Sequence, residues 1–443
     1  MKNLPSYRKI WNISYPIILS LLAQNIVTVI DTAFLGRVGE VELGASAIGG
    51  LFYFSLFMLG FGFGTGAQIL MARRNGEGNY KQIGRIFDHT MYIFAAFSVA
   101  LVILILWLAP KFLGYFISSE EIFHASISYL DYRVWGIFFA FTNVAFRAYY
   151  VGITRTNLLG WSAGIMAGVN IALDYTLIFG HWGFPEMGIA GAALASTISE
   201  GVSALFFITA TLLNRSNRRY QLFKPPQFDK GIIMRTWNIS VFIMLQNFVS
   251  IAGWFLFFLV IEQIGERPLA ISNIVRSMYM LLMIHVWSFS ASVNSLVSNL
   301  IGEGHKNLVI PVIHKVNKMG MIISAFVIAL AVIFPETMLR IYTNDPVLIS
   351  GAIPVLYVVI GALVPLPVAI NWFSGVSGTA NTRMALIIEI SSILIYLAYV
   401  FIMTLVVEAS LTVIWTSEYV YIITLGLFSY LYLKFGKWKA REI

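Results

Sequence analysis

The chain has 443 residues, 58% hydrophobic and 11% charged, with a net charge of +8 and no cysteine. Soluble domains carry about 25% charged residues, and the mean hydropathy here is +0.80, so the composition excludes a soluble protein and leaves an integral membrane protein. Disulfides, thiolate metal sites and cysteine nucleophiles are excluded, and the six histidines form no HExxH pattern.

A helix needs about 20 apolar residues to cross a bilayer. Runs of that length recur along the whole chain, too long and continuous for barrel strands. The N-terminus "MKNLPSYRKIW" is basic, but no small-residue cleavage signal follows, so the first span, 13–35, reads as a retained helix. It carries Gln24, Thr28 and Asp31 at i, i+4 and i+7, one helix face, and Pro16 lies 15 residues before Asp31. That proline removes a backbone hydrogen bond and permits a kink. The second span, 45–72, contains "GFGFGTG" (Gly60 to Gly66). It superficially resembles a phosphate loop, but it lacks a preceding strand and a following Lys-Ser/Thr, so close helix packing is expected. Spans three and four are 88–114 and 124–152, the fourth with Arg147. The fifth, 158–180, holds "GVNIALDYTLIFG", with Asn170 and Asp174 one turn apart. The sixth, 188–213, holds Ser196, Thr197 and Glu200 in "GAALASTISE". Then comes the longest hydrophilic stretch, "NRSNRRYQLFKPPQFDKG" (Asn214 to Gly231), whose Pro pair and bases mark a boundary. Six more spans follow, 237–262, 270–300, 313–340, 350–377, 384–407 and 411–434, with Arg276, His285 and Glu389 inside them.

The reading is an all-α membrane protein of twelve spans: an N-terminal lobe (1–213), a linker (214–232) and a C-terminal lobe (233–443). Bases concentrate in alternate loops and in both tails, from Lys2, Arg8 and Lys9 through Arg73, Arg74, Arg218 and Arg219 to Lys437, Lys439 and Arg441. Opposite loops such as "SSEE", "IGERP" and "YTNDP" carry few. This positive-inside pattern puts both termini in the cytoplasm and accounts for the net charge without a nucleic-acid partner.

The two lobes are duplicates. "WNIS" occurs at Trp11–Ser14 and again at Trp237–Ser240, an offset of 226. The same offset pairs Gly76-Glu77-Gly78 with Gly302-Glu303-Gly304, and across 39–78 against 265–304 it makes 12 of 40 positions identical. Parallel six-helix repeats are a transporter plan.

A charge at the bilayer centre costs about 2.5–3.5 kcal/mol even on the lenient scale, so Asp31 and Asp174 need a reason. Converging with Asn170 between them, they would take up a proton, or ligate Na⁺ through oxygens. The alternative is a static hydrogen-bond network between helices. At the repeat offset Asp31, Asn170 and Asp174 correspond to Phe257, Tyr396 and Val400, so the acidic cluster belongs to the N-terminal half alone. Ser196 and Thr197 would add hydroxyls to the cluster, or form a packing face, with Gln24 and Thr28 flanking it. Arg147 and Arg276 would snorkel or pair. The 16 Met and the many aromatics are core or lipid-facing, with some lining an adaptable cavity.

Over its whole length the chain resembles the multidrug and toxic compound extrusion (MATE) family. The similarity rests on "YPIILSLLAQNIVTVIDTAFLGRVGEVELGASAIG", "GTGAQILMARRNGEGN", "NIALDYTLIFG" with "GIAGAALAS", and "SNLIGEGHKN", in that order. The resemblance implies two six-helix lobes around a V-shaped chamber, alternating access, and export of drugs or amphipathic organic cations driven by H⁺ or Na⁺, with no cofactor. It also implies a coupling site in the N-terminal lobe at Asp31, Asn170, Asp174 and, by its place in "ALAS", Ser196, where the family pattern has Thr. Na⁺ would then sit at Asp31, Asn170 and Asp174, and helix one would bend at Pro16. A second branch of the family uses carboxylates in helices seven and ten, where this chain has Gln246 and Val368, which argues against an ion site in the C-terminal lobe. The expected setting is a monomer in a bacterial inner membrane. A lipid-linked oligosaccharide or lipid flippase of related topology is the second reading. An enzyme would need a catalytic pair or metal triad, which the sequence does not offer, and a passive channel fits duplicated lobes less well.

Overall fold

Continuous apolar runs leave backbone polar groups no partner in lipid except their own helix, so the spans fold as helices. The computed structural model describes residues 4–224 and 228–440. Lys2, Arg441 and the linker pair Pro225 and Pro226 lie outside the described residues. In chain order the helices are α1 (Tyr7–Val38), α2 (Glu40–Gly76), α3 (Tyr80–Phe116), α4 (Glu120–Arg133), α5 (Gly136–Gly152), α6 (Asn157–Phe179), α7 (Gly188–Leu213), α8 (Lys230–Glu262) and α9 (Glu266–Leu282). They continue as α10 (Ile284–Gly302), α11 (Val309–Ile333), α12 (Pro335–Leu339), α13 (Pro346–Ala362), α14 (Leu366–Gly378), α15 (Thr382–Phe401), α16 (Leu411–Ile414) and α17 (Ser417–Phe435). Polar residues cap the loop-facing starts: Asn79, Ser119 and Asp345 accept from the backbone N–H of Gln82, Ile122 and Val347.

Among the described residues nine helices are long and apolar enough to cross a membrane, and two bent pairs bring the number to 11. One pair, α9 with α10, bends by 47°, and the other, α13 with α14, by 50°. The second bend contains Pro365, which cannot donate a helical hydrogen bond. The broken pair α4–α5 completes the twelve read from the sequence. Helix α4 carries Glu120, Glu121, Asp131 and Arg133, which lowers its hydropathy.

The chain divides into two compact units, one of Tyr15–Ser240 and the other of Met1–Ser14 with Val241–Ile443. The division falls inside α1 and inside α8. The first two turns of α1 therefore belong with the C-terminal helices, where Ser14 Oγ lies 2.8 Å from Ser292 Oγ and Ser288 Oγ donates to the Ser14 carbonyl at 2.6 Å. The start of α8 belongs with the N-terminal helices, where Ser240 Oγ donates to the Phe63 carbonyl at 3.0 Å. The described linker residues are pinned to α3. Asp88 accepts from the backbone N–H of Phe223 and Lys224 at 2.9 and 3.3 Å, and His89 Nε2 accepts from Asp229 N–H at 2.9 Å.

The glycines of "GFGFGTG" are packing positions in α2. A Cβ on Gly60 would strike the Phe141 ring, one on Gly64 would strike Val144, and one on Gly66 would strike Ser240. Gly64→Val is expected to cost about 1–3 kcal/mol through overpacking. Thermal unfolding of the purified protein in detergent reads the loss, and an unchanged midpoint would refute this packing assignment.

Candidate functional site

Helices α6 and α7 approach closely because Gly191 has no Cβ; one built there would lie 2.6 Å from the Leu177 carbonyl. Their contact buries Asn170 and Asp174, which are 1% and 0% exposed. Asp31 of α1 meets them there, across the Asn170 amide. The Asn170 amide bridges the two acids. Oriented with its nitrogen toward them, it donates to Asp31 Oδ1 at 3.0 Å and to Asp174 Oδ2 at 3.2 Å; the reverse orientation would set its oxygen against acceptors. The other end of the amide lies 3.5 Å from Ser196 Oγ on α7. Asp174 Oδ1 is buried with no donor facing it. One turn beyond each acid, Leu35 and Ile178 pack with Ala45, Ile189 and Ala192 and close that side of the cluster.

The structure thus brings together Asp31, Asn170, Asp174 and Ser196. Thr197 turns away, its Oγ1 donating to the Tyr132 carbonyl at 3.2 Å. Gln24 and Thr28 are exposed, and the Thr28 hydroxyl donates to its own helix at the Gln24 carbonyl. Pro16 is buried within α1, two residues past the point where that helix passes from one compact unit to the other.

Beside the cluster sits a charged pair of which the sequence reading saw only one member. Glu200 lies one turn beyond Ser196 on α7, on the same face. It is gripped by Arg133 of α4 through Nη1–Oε2 at 2.8 Å and Nη2–Oε1 at 2.5 Å. The guanidinium stacks over the Tyr53 ring, 4.1 Å from its centroid, and lies within Coulombic range of Asp31. Gly136 makes the room, since a Cβ there would strike Arg133 and lie 2.9 Å from Glu200 Oε2. Nothing local marks Arg133, whose partner is 67 residues away; the one available signal was the weak hydropathy of the fourth span.

The duplicate half gives an internal comparison. Offset by 226, Asp31, Asn170, Asp174 and Ser196 become Phe257, Tyr396, Val400 and Ile422. All four are buried in one hydrophobic cluster of the C-terminal unit, with the Phe257 and Tyr396 rings 6.1 Å apart. The same backbone positions converge in both halves; polar side chains fill the junction in one and apolar side chains in the other.

The remaining intramembrane polar residues have separate partners. Arg147 stacks on Phe61 at 4.9 Å and Arg276 on Phe258 at 5.1 Å. His285 Nε2 lies 2.7 Å from Ser324 Oγ. Glu389 accepts from Ser250 and Tyr421.

The sequence profile of the MatE family matches this chain twice, over residues 16–176 and 242–402, two segments that begin 226 residues apart as the internal repeat does. The chain belongs to the MatE family. It is an integral multi-pass membrane transporter, as the sequence resemblance implied. It is 26% identical to the "Probable multidrug resistance protein NorM" of Thermotoga maritima, an alignment covering 100% of this chain and 95% of the relative. The protein of the same name from Pasteurella multocida is 25% identical over 78% of this chain and 75% of its own length. Among solved structures, an outward-facing multidrug resistance MATE family transporter superposes with a TM-score of 0.89 at 19% identity, covering 97% of this chain and 96% of that one. A MOP superfamily transporter from Pyrococcus furiosus gives 0.86 at the same identity, covering 97% and 95%. These superpositions establish the twelve-helix MATE fold.

Proposed function

We propose that this MatE-family protein is an antiporter that exports drugs or amphipathic organic cations by alternating access, driven by H⁺ or Na⁺ at Asp31, Asn170, Asp174 and Ser196. The observation that carries the reading is that one amide bridges two carboxyl groups from separate helices. Two ionised carboxylates that share one amide repel, and each is costly away from water, so the pair holds a cation: a proton shared between them, or Na⁺ among their oxygens. With Na⁺ in place the Asn170 amide would turn its oxygen toward the acids and, with the Ser196 hydroxyl, complete an oxygen donor set that suits a hard cation.

Loading one cation lowers the negative charge of the cluster by one, ends the repulsion between the two acids, and changes what α1 gains by lying against α6. A ligand biases a two-state protein only through such a difference in interaction. Pro16, which cannot donate a helical hydrogen bond, gives α1 a place to flex as that difference is expressed. Drug-like substrates are supported by the names of the bacterial relatives. The basic loops support an inner-membrane orientation with both termini cytoplasmic, and the protein is taken to work as a monomer.

The test is reconstitution in proteoliposomes with a fluorescent lipophilic cation inside. A pH gradient and a Na⁺ gradient are imposed separately, at matched membrane potential. One or both gradients are expected to accelerate release, and an identical rate without any gradient would sink the coupling.

A further inference from the structure

We propose that the N-terminal unit binds an anionic phospholipid by its headgroup, in a cavity where the end of α7 meets the linker. The cavity has a volume of about 310 Å³, at the low end of ligand pockets, which run from about 300 to 1,000 Å³. Arg218 and Lys224 line it with the side-chain amides of Asn214 and Gln221, and no carboxylate among the described residues does. None of the ion pairs among the described residues includes either base. The nearby acids are committed to backbone. Asp88 accepts from the N–H groups of Phe223 and Lys224, and Asp229 from those of Gly231 and Ile232. Two like charges in one cavity repel until an anion lies between them, and a phosphate ester has oxygens for both.

The walls of the cavity are fixed by buried bonds. Asn217 and Thr211 are buried there. The Asn217 amide donates to the Thr211 carbonyl at 3.1 Å and accepts from the Tyr149 hydroxyl at 3.3 Å, while Thr211 Oγ1 lies 2.6 Å from the Tyr150 hydroxyl. The loop that brings Lys224 to the cavity is strained. Gln221 and Phe223 have left-handed backbone, with φ of 55° and 58°, a conformation that residues with side chains keep only where their surroundings impose it. The bonds to Asp88 impose it, as does the Tyr92 hydroxyl, which donates to the Lys224 carbonyl at 3.4 Å.

The apolar surroundings select a lipid over a free phosphate. Helix α7 is long and apolar enough to cross the membrane, and its last residues stay apolar. Leu212 lines the cavity and is exposed, and Leu213 beside it is 77% exposed. Phe223 is exposed at the cavity too, and Phe228 further along the linker is 79% exposed. Inorganic phosphate would meet the two bases and leave these side chains uncovered. A phospholipid meets both, its phosphate between Arg218 and Lys224 and its acyl chains along Leu212 and Leu213. Basic pockets at the ends of membrane helices take anionic headgroups in this way.

The test is native mass spectrometry of the full chain in detergent, titrated with equal amounts of phosphatidylglycerol and phosphatidylcholine that carry identical acyl chains. One phosphatidylglycerol per chain is expected to be retained in preference. Arg218→Gln combined with Lys224→Gln should weaken its binding by roughly 30-fold, the effect of two bases at an anionic lipid. Arg8→Gln combined with Lys9→Gln removes the same charge from the other unit and should leave the binding unchanged. All four side chains are exposed, so neither double variant disturbs the core. Equal losses in the two double variants, or no loss in the first, overturn the proposal. Inorganic phosphate and glycerol phosphate are then added in excess to the wild-type mixture. Retention of phosphatidylglycerol is the expected result, and its displacement by either one overturns the lipid assignment in favour of a free phosphate. The readout is binding, so it stands or falls apart from the coupling at Asp31 and Asp174.

Discussion

Asp31→Asn is expected to lower gradient-driven efflux by roughly 5- to 150-fold, the span of ordinary coupling energies of about 1–3 kcal/mol. Asparagine is nearly isosteric and keeps one oxygen for the Asn170 amide, which donates to Asp31 Oδ1 at 3.0 Å. What it removes is the charge, and with it the need for a cation between the acids. Substrate should still bind, because the proposal assigns Asp31 to the cation and not to the drug; only the link between cation gradient and drug gradient is lost. Equilibrium binding of the fluorescent cation, measured beside efflux, separates the two. Asp174→Asn should behave alike, since either acid alone lacks the neighbour that makes loading obligatory. Undiminished efflux in both variants would leave the cluster as a helix–helix adhesive and no more.

Glu200→Leu is expected to destabilise the protein by about 3 kcal/mol, the low end for breaking a buried ion pair from one side. The low end applies because the Glu200 side chain keeps 17% of its exposure. The cost arises from Arg133, left with its charge beneath Tyr53 and no carboxylate to meet its fork. Replacing both, as Arg133→Met with Glu200→Leu, should recover most of the loss, since two apolar side chains can occupy the space without an orphaned charge. Thermal unfolding in detergent of the two singles and the double gives the coupling energy directly. A double variant as unstable as the worse single would show that the pair contributes shape and not charge.

The fold was largely legible in the sequence because the membrane enforces it. Apolar length gave the spans, loop bases gave their alternation, and the 226-residue repeat gave the two halves. Asp31 and Asp174 stood out because a charge in an apolar run is conspicuous, and the i, i+4 spacing tied Asn170 to Asp174. Ser196 came from its place in "ALAS", and its approach to Asn170 is a matter of tertiary packing. Arg133 lies inside the fourth span, 124–152, but its partner Glu200 is 67 residues away and only packing joins the two. Glu389 was seen only as an isolated polar residue, and Glu418, 5% exposed on α17, was not singled out. The C-terminal half holds Gln246 and Val368 at the two positions to which the family resemblance points. Its acids stand elsewhere, on α15 and α17, and only packing reveals that Ser250 and Tyr421 face one of them.

The exchange of helix starts sets the unit of duplication apart from the unit of packing. The repeat pairs Trp11–Ser14 with Trp237–Ser240, yet each compact unit takes the opening turns of the other half's first helix, up to Ser14 and up to the equivalent Ser240. In an oligomer this arrangement would be called domain swapping. Here it occurs within one polypeptide, so the halves are joined covalently through two helices as well as through the linker. A protein corresponding to one half would have to complete itself with a second copy, and the fused chain carries that completion in its own covalent structure.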